Sequence, residues 1–275
     1  MISIIIPTYN RGYIIKKSID SILKQSYTDF ELIIVDDGST DNTKEVVNSI
    51  NDNRIKYITY EKNMGACYAR NIGIKEAKGE FITFHDSDDY CYKDRIKYQY
   101  ENMIKNKSDI DFCNFDSYCN NKFLRHNITF YLKHLIKKHG YYYAACYKNY
   151  IGTPALMVRN EVLKNNTFDE RLSRLQDYDL ILRLLSNYKV SHTDIVLLRQ
   201  DVQENSITKD NTKGIESIDL MLEKYDNKLL KSTLYYMKGN MYSKDNKNKK
   251  RYYYKESLKL KFRIKVFIKL ILNFL

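Results

Sequence analysis

Short apolar runs alternate with longer amphipathic segments along residues 1–115. The runs are rich in Ile, Val and Phe, which is typical of buried strands. The amphipathic segments repeat apolar residues at helical spacing. This alternation predicts βαβ units that build a mainly parallel sheet. The predicted strands are Ile2–Ile6, Glu31–Val35, Ile55–Thr59, Glu80–Phe84 and Ile110–Phe115, and the predicted helices between them are Tyr13–Leu23, Asp41–Ile50 and Gly65–Ala77.

The pattern changes twice beyond residue 115. Residues from about 120 to 200 are less regular, with an aromatic stretch at Tyr141–Tyr150 and a predicted helix at Asp177–Leu185. From about residue 210 the apolar spacing is helical. We therefore expect an α/β domain over residues 1–209, divided near residue 115, and a helical extension over residues 210–275.

Composition limits the class of protein. A chain of 275 residues that is 43% hydrophobic can fill a substantial core. Its five cysteines include no C-x-x-C pair, so we expect neither a disulfide framework nor a zinc site, and a reducing compartment fits best. The first residues, MISIIIPTYN, predict a strand rather than a signal peptide, and no apolar run reaches the roughly 18 residues of a membrane span. We expect a cytoplasmic protein.

The positive charge is concentrated at the carboxyl end. Residues 228–275 contain fourteen Lys or Arg and two acidic residues, so they hold a net charge of +12, equal to that of the whole chain. From Arg251 to Leu275, Lys and Arg alternate with apolar residues. This pattern predicts a basic amphipathic helix on an anionic membrane surface, on the inner face of the cytoplasmic membrane. Two alternatives are packing of the apolar face on the protein and nucleic-acid binding. Nucleic-acid binding is disfavoured because the apolar residues are bulky aliphatics rather than aromatics interleaved for base stacking.

Polar clusters follow three of the predicted strands. They are Thr8–Arg11, Asp36–Ser39 and His85–Asp89. Because the carboxyl ends of parallel strands meet at one edge of a sheet, we expect these clusters to form a single site. The first turn lacks G-x-G-x-x-G, and the chain has no G-x-x-x-x-G-K-[ST]. A dinucleotide cofactor and P-loop chemistry are therefore not expected.

The third cluster contains three carboxylates within the four residues Asp86–Asp89, directly after an apolar strand. Carboxylate oxygens suit Mn²⁺ or Mg²⁺, which complete their coordination with substrate phosphates and water. The alternative interpretation is a solvated acidic turn that caps the next helix. A divalent metal at this turn is the more specific hypothesis.

Four motifs occur in a fixed order, namely IIIPTYN at residues 4–10, IVDDGS at 34–39, NMG leading to ARNIG at 63–73, and DSDD at 86–89. Together they resemble the inverting family 2 glycosyltransferases of bacterial polysaccharide synthesis. The resemblance implies a GT-A fold, which is a Rossmann-like, mainly parallel sheet flanked by helices, here with a helical C-terminal extension. It implies transfer of a sugar from a nucleotide-diphospho-sugar, a UDP-sugar, to an acceptor hydroxyl with inversion, assisted by Mn²⁺ or Mg²⁺.

The same resemblance implies roles for individual residues. Residues 1–115 would bind the nucleotide, and residues 116–209 would bind a saccharide or lipid-linked saccharide acceptor. Tyr9 would offer its ring to the base, and Arg70 would face the phosphates. Asp88 would be the main metal ligand, Asp86 would contact the metal or the ribose, and Asp89 would support them. The implied nucleotide site comprises Pro7, Thr8, Tyr9, Asn10, Arg11, Asp37, Arg70 and Asp86.

The family places its general base at an E-D-x-D-type helix start, which corresponds here to Leu175–Asp179. Asp177 is the predicted base, although Gln176 replaces the usual Glu and Asp177 could instead be the helix N-cap. The segment Leu198–Asp201 lacks the aromatic residue and the His that the family often carries there. A third protein ligand to the metal is therefore open, and His85 and His192 are speculative candidates.

Two other functions are compatible with parts of the sequence. A sugar-phosphate nucleotidyltransferase would need an early Gly-rich loop with Arg or Lys, and the chain has none. A non-catalytic nucleotide-binding or polyanion-binding module could use the basic tail, and it would tolerate loss of the carboxylates.

Overall fold

The apolar runs of the first 84 residues form parallel strands in a computed structural model, which describes residues 1–127, 132–202 and 211–273. The strands lie in the order β3-β2-β1-β4, and helices α1 to α3 connect them in sequence, so the predicted βαβ units are confirmed. The elements are β1 (Ile2–Thr8), α1 (Ile15–Leu23), β2 (Phe30–Asp36), α2 (Thr43–Asn48), β3 (Ile55–Thr59), α3 (Ala66–Glu76) and β4 (Phe81–Phe84).

The rest of the sheet is mixed. β8 lies antiparallel between β4 and β6, and β6 pairs in parallel with β9. The predicted strand Ile110–Phe115 exists as β6, but it does not pair with β4, because β8 occupies that edge. The strands of this half are β5 (Tyr90–Cys91), β6 (Ile110–Cys119), β7 (Lys122–Asn127), β8 (Leu156–Arg159) and β9 (Val190–Asp201).

Two hydrophobic cores lie on opposite faces of the sheet. In β1, Ile5 joins one core, whereas Ile4 and Ile6 join the other, as strand alternation requires. Both faces of β1 are therefore covered, which explains its mainly apolar sequence. Helices α1 and α2 pack on one face, and α3 packs on the other.

Helices fill the second half of the chain. They are α4 (Arg95–Asn106), α5 (Lys133–Tyr147), α6 (Asn160–Lys164), α7 (Gln176–Asn187), α8 (Asn211–Lys224), α9 (Lys228–Met241), α10 (Lys247–Leu260) and α11 (Ile264–Leu272). The predicted α/β fold with a helical C-terminal region is confirmed. The predicted division near residue 115 falls inside β6, and the predicted boundary between residues 209 and 210 lies outside the described residues.

The C-terminal helices pack directly against α7. Met221 and Leu234 belong to the same core as Leu182. Asp179 is fully buried, and its carboxylate accepts bonds from Arg183 at 3.0 Å and Lys224 at 2.7 Å. A buried carboxylate without partners would destabilise the fold strongly, so this cluster fixes α8 to α7.

Candidate active site

Strand register brings the predicted polar clusters to one edge of the sheet. Thr8 at the end of β1 pairs with Asp36 at the end of β2, and Ile5 pairs with Phe84 at the end of β4. The first loop is then tied to the second, because the Asn10 backbone N–H donates to Ser39 Oγ at 2.8 Å. The Asn10 side chain accepts from the Thr40 N–H at 2.8 Å in return. The two loops therefore form one surface, as predicted.

The first loop presents one aromatic ring to solvent. Pro7 and Thr8 are buried at the end of β1, whereas the Tyr9 side chain is 42% exposed. Asn10 adopts a left-handed backbone conformation, with φ of 50°, which asparagine tolerates better than most residues. Arg11 follows this turn near the acidic cluster, where burial raises the pKa of Asp88 and the charge of Arg11 partly opposes that rise.

Asp37 organises the segment that leads into α3. Its buried carboxylate accepts bonds from the Tyr60 hydroxyl at 2.8 Å, from the Met64 N–H at 2.7 Å and from the Gly65 N–H at 2.8 Å. Gly65 has φ of 94°, which favours glycine. A carboxylate offers about four acceptor sites, so one site remains for a further donor.

Arg70 and Asp86 form an ion pair beneath this surface. Arg70 Nη2 donates to Asp86 Oδ1 at 2.9 Å, and the guanidinium carbon lies 5.6 Å from the centroid of the Phe168 ring. In the part of the chain that the structure describes, Arg70 Nε is buried without a hydrogen-bond partner. A fixed, incompletely satisfied guanidinium that extends from α3 to the loop after β4 suits phosphate oxygens.

The acidic turn concentrates negative charge. Burial, followed by the nearby charge of Asp86, raises the pKa of Asp88 to about 6. Burial and the charges of Asp86 and Asp88 also raise the pKa of Asp89. Asp89 Oδ1 accepts from the Asp201 N–H at 3.1 Å, whereas Asp89 Oδ2 is buried and has no partner among the described residues. A divalent cation would relieve this repulsion, so the turn fits one.

The described residues contain no group of three His, Cys, Asp or Glu side chains that could enclose a metal ion by themselves. Phosphate oxygens would then have to complete the coordination of a metal at Asp86 and Asp88. The two histidines named as candidates for a third ligand lie at different depths and distances. His85 is completely buried below the turn, and burial lowers its pKa to about 3. His192 lies seven residues before Arg199 in β9, roughly 20 Å along the strand from the end that pairs with β5.

Asp177 lies in the first turn of α7. The N-cap residue of this helix is Leu175, so Asp177 is not the N-cap. Its Oδ1 accepts from the Tyr178 N–H at 2.7 Å. Burial raises the pKa of Asp177, and the charge of Arg70 and a hydrogen bond from the Asn149 side chain partly oppose that rise. The charges of Arg70 and Asp86 both affect the pKa of Asp177, so the start of α7 lies near the acidic turn.

Comparison with known proteins identifies the family. Residues 3–166, more than half of the chain, match the family model described as "Glycosyl transferase family 2". The chain belongs to glycosyl transferase family 2. It is therefore a glycosyltransferase, as its motifs predict, and the nucleotidyltransferase and binding-module interpretations are not retained.

Individual members of family 2 show how far the similarity extends. The chain is 32% identical over 222 residues to "UDP-Glc:alpha-D-GlcNAc-diphosphoundecaprenol beta-1,3-glucosyltransferase WfgD" of Escherichia coli, which covers 78% of this chain and 83% of WfgD. It is 39% identical over 120 residues to glycosyltransferase GlyG of Streptococcus pneumoniae, covering 43% of this chain but only 40% of GlyG.

Solved structures confirm the GT-A-type fold. S. aureus TarS 1-349 in complex with UDP-GlcNAc superposes with a TM-score of 0.68 at 22% identity, covering 99% of this chain and 79% of TarS 1-349. The mannosyltransferase PcManGT of Pyrobaculum calidifontis, in complex with GDP-Man and Mn²⁺, has a TM-score of 0.66 at 15% identity, covering 99% and 79%. At these identities the likeness concerns the fold.

Sequence reasoning missed several residues of this family 2 site. Tyr57 and Tyr60 donate their hydroxyls to Asp36 and Asp37 at 2.5 and 2.8 Å, and Asp201 meets the acidic turn through its backbone. Asn149 contacts Asp177 although the two residues are 28 positions apart in the sequence. Tyr57 and Tyr60 lie in or just after β3, beside the end of β2, so strand order could have identified them, whereas spacing alone does not indicate Asn149.

Replacing Asn149 with Ala should shift the pH dependence of this transferase. The Asn149 hydrogen bond lowers the pKa of Asp177, so its loss raises that pKa. If Asp177 acts as a base, the acid limb of the kcat/KM profile moves up by about one pH unit. Asn187→Ala is the control, because Asn187 is exposed at the end of α7, the helix that contains Asp177. An unmoved profile accompanied by a lower melting temperature would mean that Asn149 is only structural.

Proposed function

We propose that this family 2 transferase moves a sugar from a UDP-sugar to a saccharide hydroxyl with inversion, in the synthesis of a bacterial polysaccharide. The observation that carries the proposal is the convergence of three strand-end loops and the start of α7, which combines an acidic turn, Arg70 and Asp177. Two relatives support the donor class, since WfgD is named for UDP-Glc and TarS 1-349 was crystallised with UDP-GlcNAc.

The nucleotide would bind across the first two loops. The exposed Tyr9 ring would stack on the uracil, and the remaining acceptor site of Asp37 would receive the base N–H. Pro7, Thr8 and Asn10 would form the floor of this pocket. Arg11 and Arg70 face the acidic turn and would contact the diphosphate oxygens.

Asp88 and Asp86 would hold Mn²⁺ or Mg²⁺ together with the diphosphate. A metal held there would supply positive charge to stabilise the leaving UDP. Asp89 supports this turn, since its Oδ1 receives the Asp201 N–H and thereby fixes the turn to the end of β9. Arg70 supplies a second positive charge through its contact with Asp86.

Asp177 would act as the general base in a single displacement. Its carboxylate removes the proton of the acceptor hydroxyl while that oxygen forms a bond to the anomeric carbon. The bond between the anomeric carbon and the diphosphate oxygen breaks, and its electron pair leaves with UDP. One displacement inverts the anomeric configuration. The raised pKa of Asp177 makes it a stronger base than an exposed aspartate.

Three further features belong to the same proposal. Residues 1–115 form the donor half, residues 116–209 form the acceptor half, and residues 210–275 form the basic extension. The acceptor is a saccharide or a lipid-linked saccharide, in line with the diphosphoundecaprenol acceptor in the name of WfgD. The enzyme would then work on the inner face of the cytoplasmic membrane as a peripheral protein, without a nucleic-acid partner.

A transfer assay tests the proposal. The full chain is incubated with Mn²⁺ and UDP-Glc, UDP-GlcNAc, UDP-Gal or GDP-Man, together with either GlcNAc-diphospholipid or a free GlcNAc glycoside. We expect transfer from one α-linked UDP-sugar, and NMR of the product should show a β linkage. A product with retained α configuration would contradict the inverting mechanism. Transfer from GDP-Man alone would contradict the donor assignment.

A further inference from the structure

Helix α11 exposes one continuous apolar face. The face residues follow one another at spacings of three, four, seven and eight, so they lie on one side of the helix. Their exposed fractions range from 43% to 69%. Val266, on the opposite side, is buried against the protein, and Phe262 just before the helix is 63% exposed. The face, which we name the apolar face, consists of Ile264, Phe267, Ile268, Ile271 and Leu272.

The apolar face is held in place rather than loosely attached. Lys269 Nζ donates to Asn240 Oδ1 at 2.6 Å, which ties α11 to α9. Arg251 Nε donates to the Asn273 carbonyl at 2.7 Å, which ties the end of α11 to α10. The protein therefore presents large apolar side chains on a fixed helix, where water must cover them unless a partner does.

Charge decides which partner fits. Residues 228–275 hold the whole net charge of +12, and Lys265 and Lys269 lie along one border of the apolar face. A second copy of the chain would bring the same positive charge to the interface, which opposes association. An anionic lipid surface offers both an apolar layer and opposite charge, and clusters of Lys and Arg beside an amphipathic helix favour it.

The length of α11 limits the mode of contact. Nine helical residues extend about 14 Å, which is less than half of the hydrocarbon thickness. None of the helices in residues 1–127, 132–202 and 211–273 is long and apolar enough to span a bilayer. A helix of this kind lies in the plane of the interface with its apolar side chains among the acyl chains.

We propose that α11 docks this protein on an anionic membrane surface and that the docked face lies on the acceptor side of the active site. The placement of the docked face on the acceptor side rests on the function proposed above, whereas docking itself does not. Arg263, which precedes α11, donates to the Tyr147 carbonyl and to Thr233 Oγ1, each at 3.0 Å. Asn149, the partner of Asp177, follows Tyr147 by two residues. The membrane-facing helix is thus joined through one guanidinium to the segment that holds the proposed base.

Vesicle flotation of the full chain tests docking. We expect binding to phosphatidylcholine vesicles that contain phosphatidylglycerol and little binding to phosphatidylcholine alone. The variant Phe267→Ser/Ile268→Ser/Ile271→Ser should lose binding at least tenfold, whereas Phe123→Ser/Leu124→Ser, which changes two equally exposed apolar residues on β7, should bind as the wild type does. Equal binding by the wild type and the α11 triple variant would overturn the proposal.

A charge variant keeps the test valid if the triple variant does not fold. Lys261→Glu/Lys265→Glu changes two exposed side chains and should weaken binding to anionic vesicles by roughly tenfold or more. Unchanged binding of this variant to anionic vesicles would refute membrane docking. Membrane docking would also be refuted if the wild type bound no vesicles and formed a dimer that the triple variant converts to a monomer. If the protein does not bind vesicles but fully transfers sugar to a soluble glycoside, the proposed function stands and docking does not. If the protein binds vesicles but transfers no sugar, only the proposed function is refuted.

Discussion

Asp177→Asn should abolish sugar transfer while nucleotide binding stays unchanged. A positioned general base contributes roughly 10²–10⁴-fold to the rate, so we expect a loss of that size in kcat. Asparagine has nearly the same shape and can still accept from the Tyr178 N–H. Because burial disfavours the charged form of Asp177, removing the charge should not lower stability. The measurements are UDP release with acceptor present and calorimetric titration with UDP.

Asp179→Asn provides the contrast two residues away. Its carboxylate joins Arg183 and Lys224 in the protein interior, so this variant should lose about 3 kcal/mol of stability. At a temperature where Asp179→Asn remains folded, its transfer activity should exceed that of Asp177→Asn. Normal turnover by Asp177→Asn would refute the base assignment, and a large loss of UDP binding in that variant would place Asp177 in the donor site instead.

Asp88→Asn should lose transfer by at least about 100-fold and yet be more stable than the wild type in the absence of metal and nucleotide. The pKa of Asp88 is raised from its ordinary value of 3.8 to about 6, so its ionised form is disfavoured in the folded protein. Ionisation of Asp88 therefore removes stability as the pH rises from about 4 to about 6. Asparagine does not ionise, so the variant escapes this loss.

The expected signature is a stability difference that depends on pH. The melting temperature of Asp88→Asn should exceed that of the wild type at pH 7, and the difference should shrink as the pH falls toward 4. Asp226→Asn, which changes a fully exposed side chain, should show no such gain. A melting temperature of Asp88→Asn below that of the wild type at pH 7 would contradict the charge repulsion in this turn.

Local pattern was sufficient for the donor half of the fold. β1, β2 and β4 are apolar on both faces because helices cover both sides of the sheet, so their runs stand out in the sequence. The polar residues that follow them converge because parallel register aligns the strand ends. The predicted site could therefore be assembled from residues that lie near one another in sequence.

The acceptor side required contacts that spacing does not encode. β8 is a four-residue strand, and its position between β4 and β6 depends on packing rather than on its own sequence. The contact between Asn149 and Asp177 depends on how α5 and α7 pack. Asp177 and Asp179 differ in role because residues two apart point to opposite sides of a helix, one toward Arg70 and the other toward α8.

A nucleotide titration tests the central claim most directly. The melting temperature of the wild type is followed with UDP, GDP, CDP and dTDP, each with and without Mn²⁺, since a ligand that binds only the folded protein raises it by mass action. We predict that UDP stabilises the protein, that Mn²⁺ increases this effect, and that Asp88→Asn loses the increase due to Mn²⁺. Stabilisation by none of the four nucleotides, or by GDP alone in a metal-independent way, would contradict a metal-assisted UDP-sugar transferase.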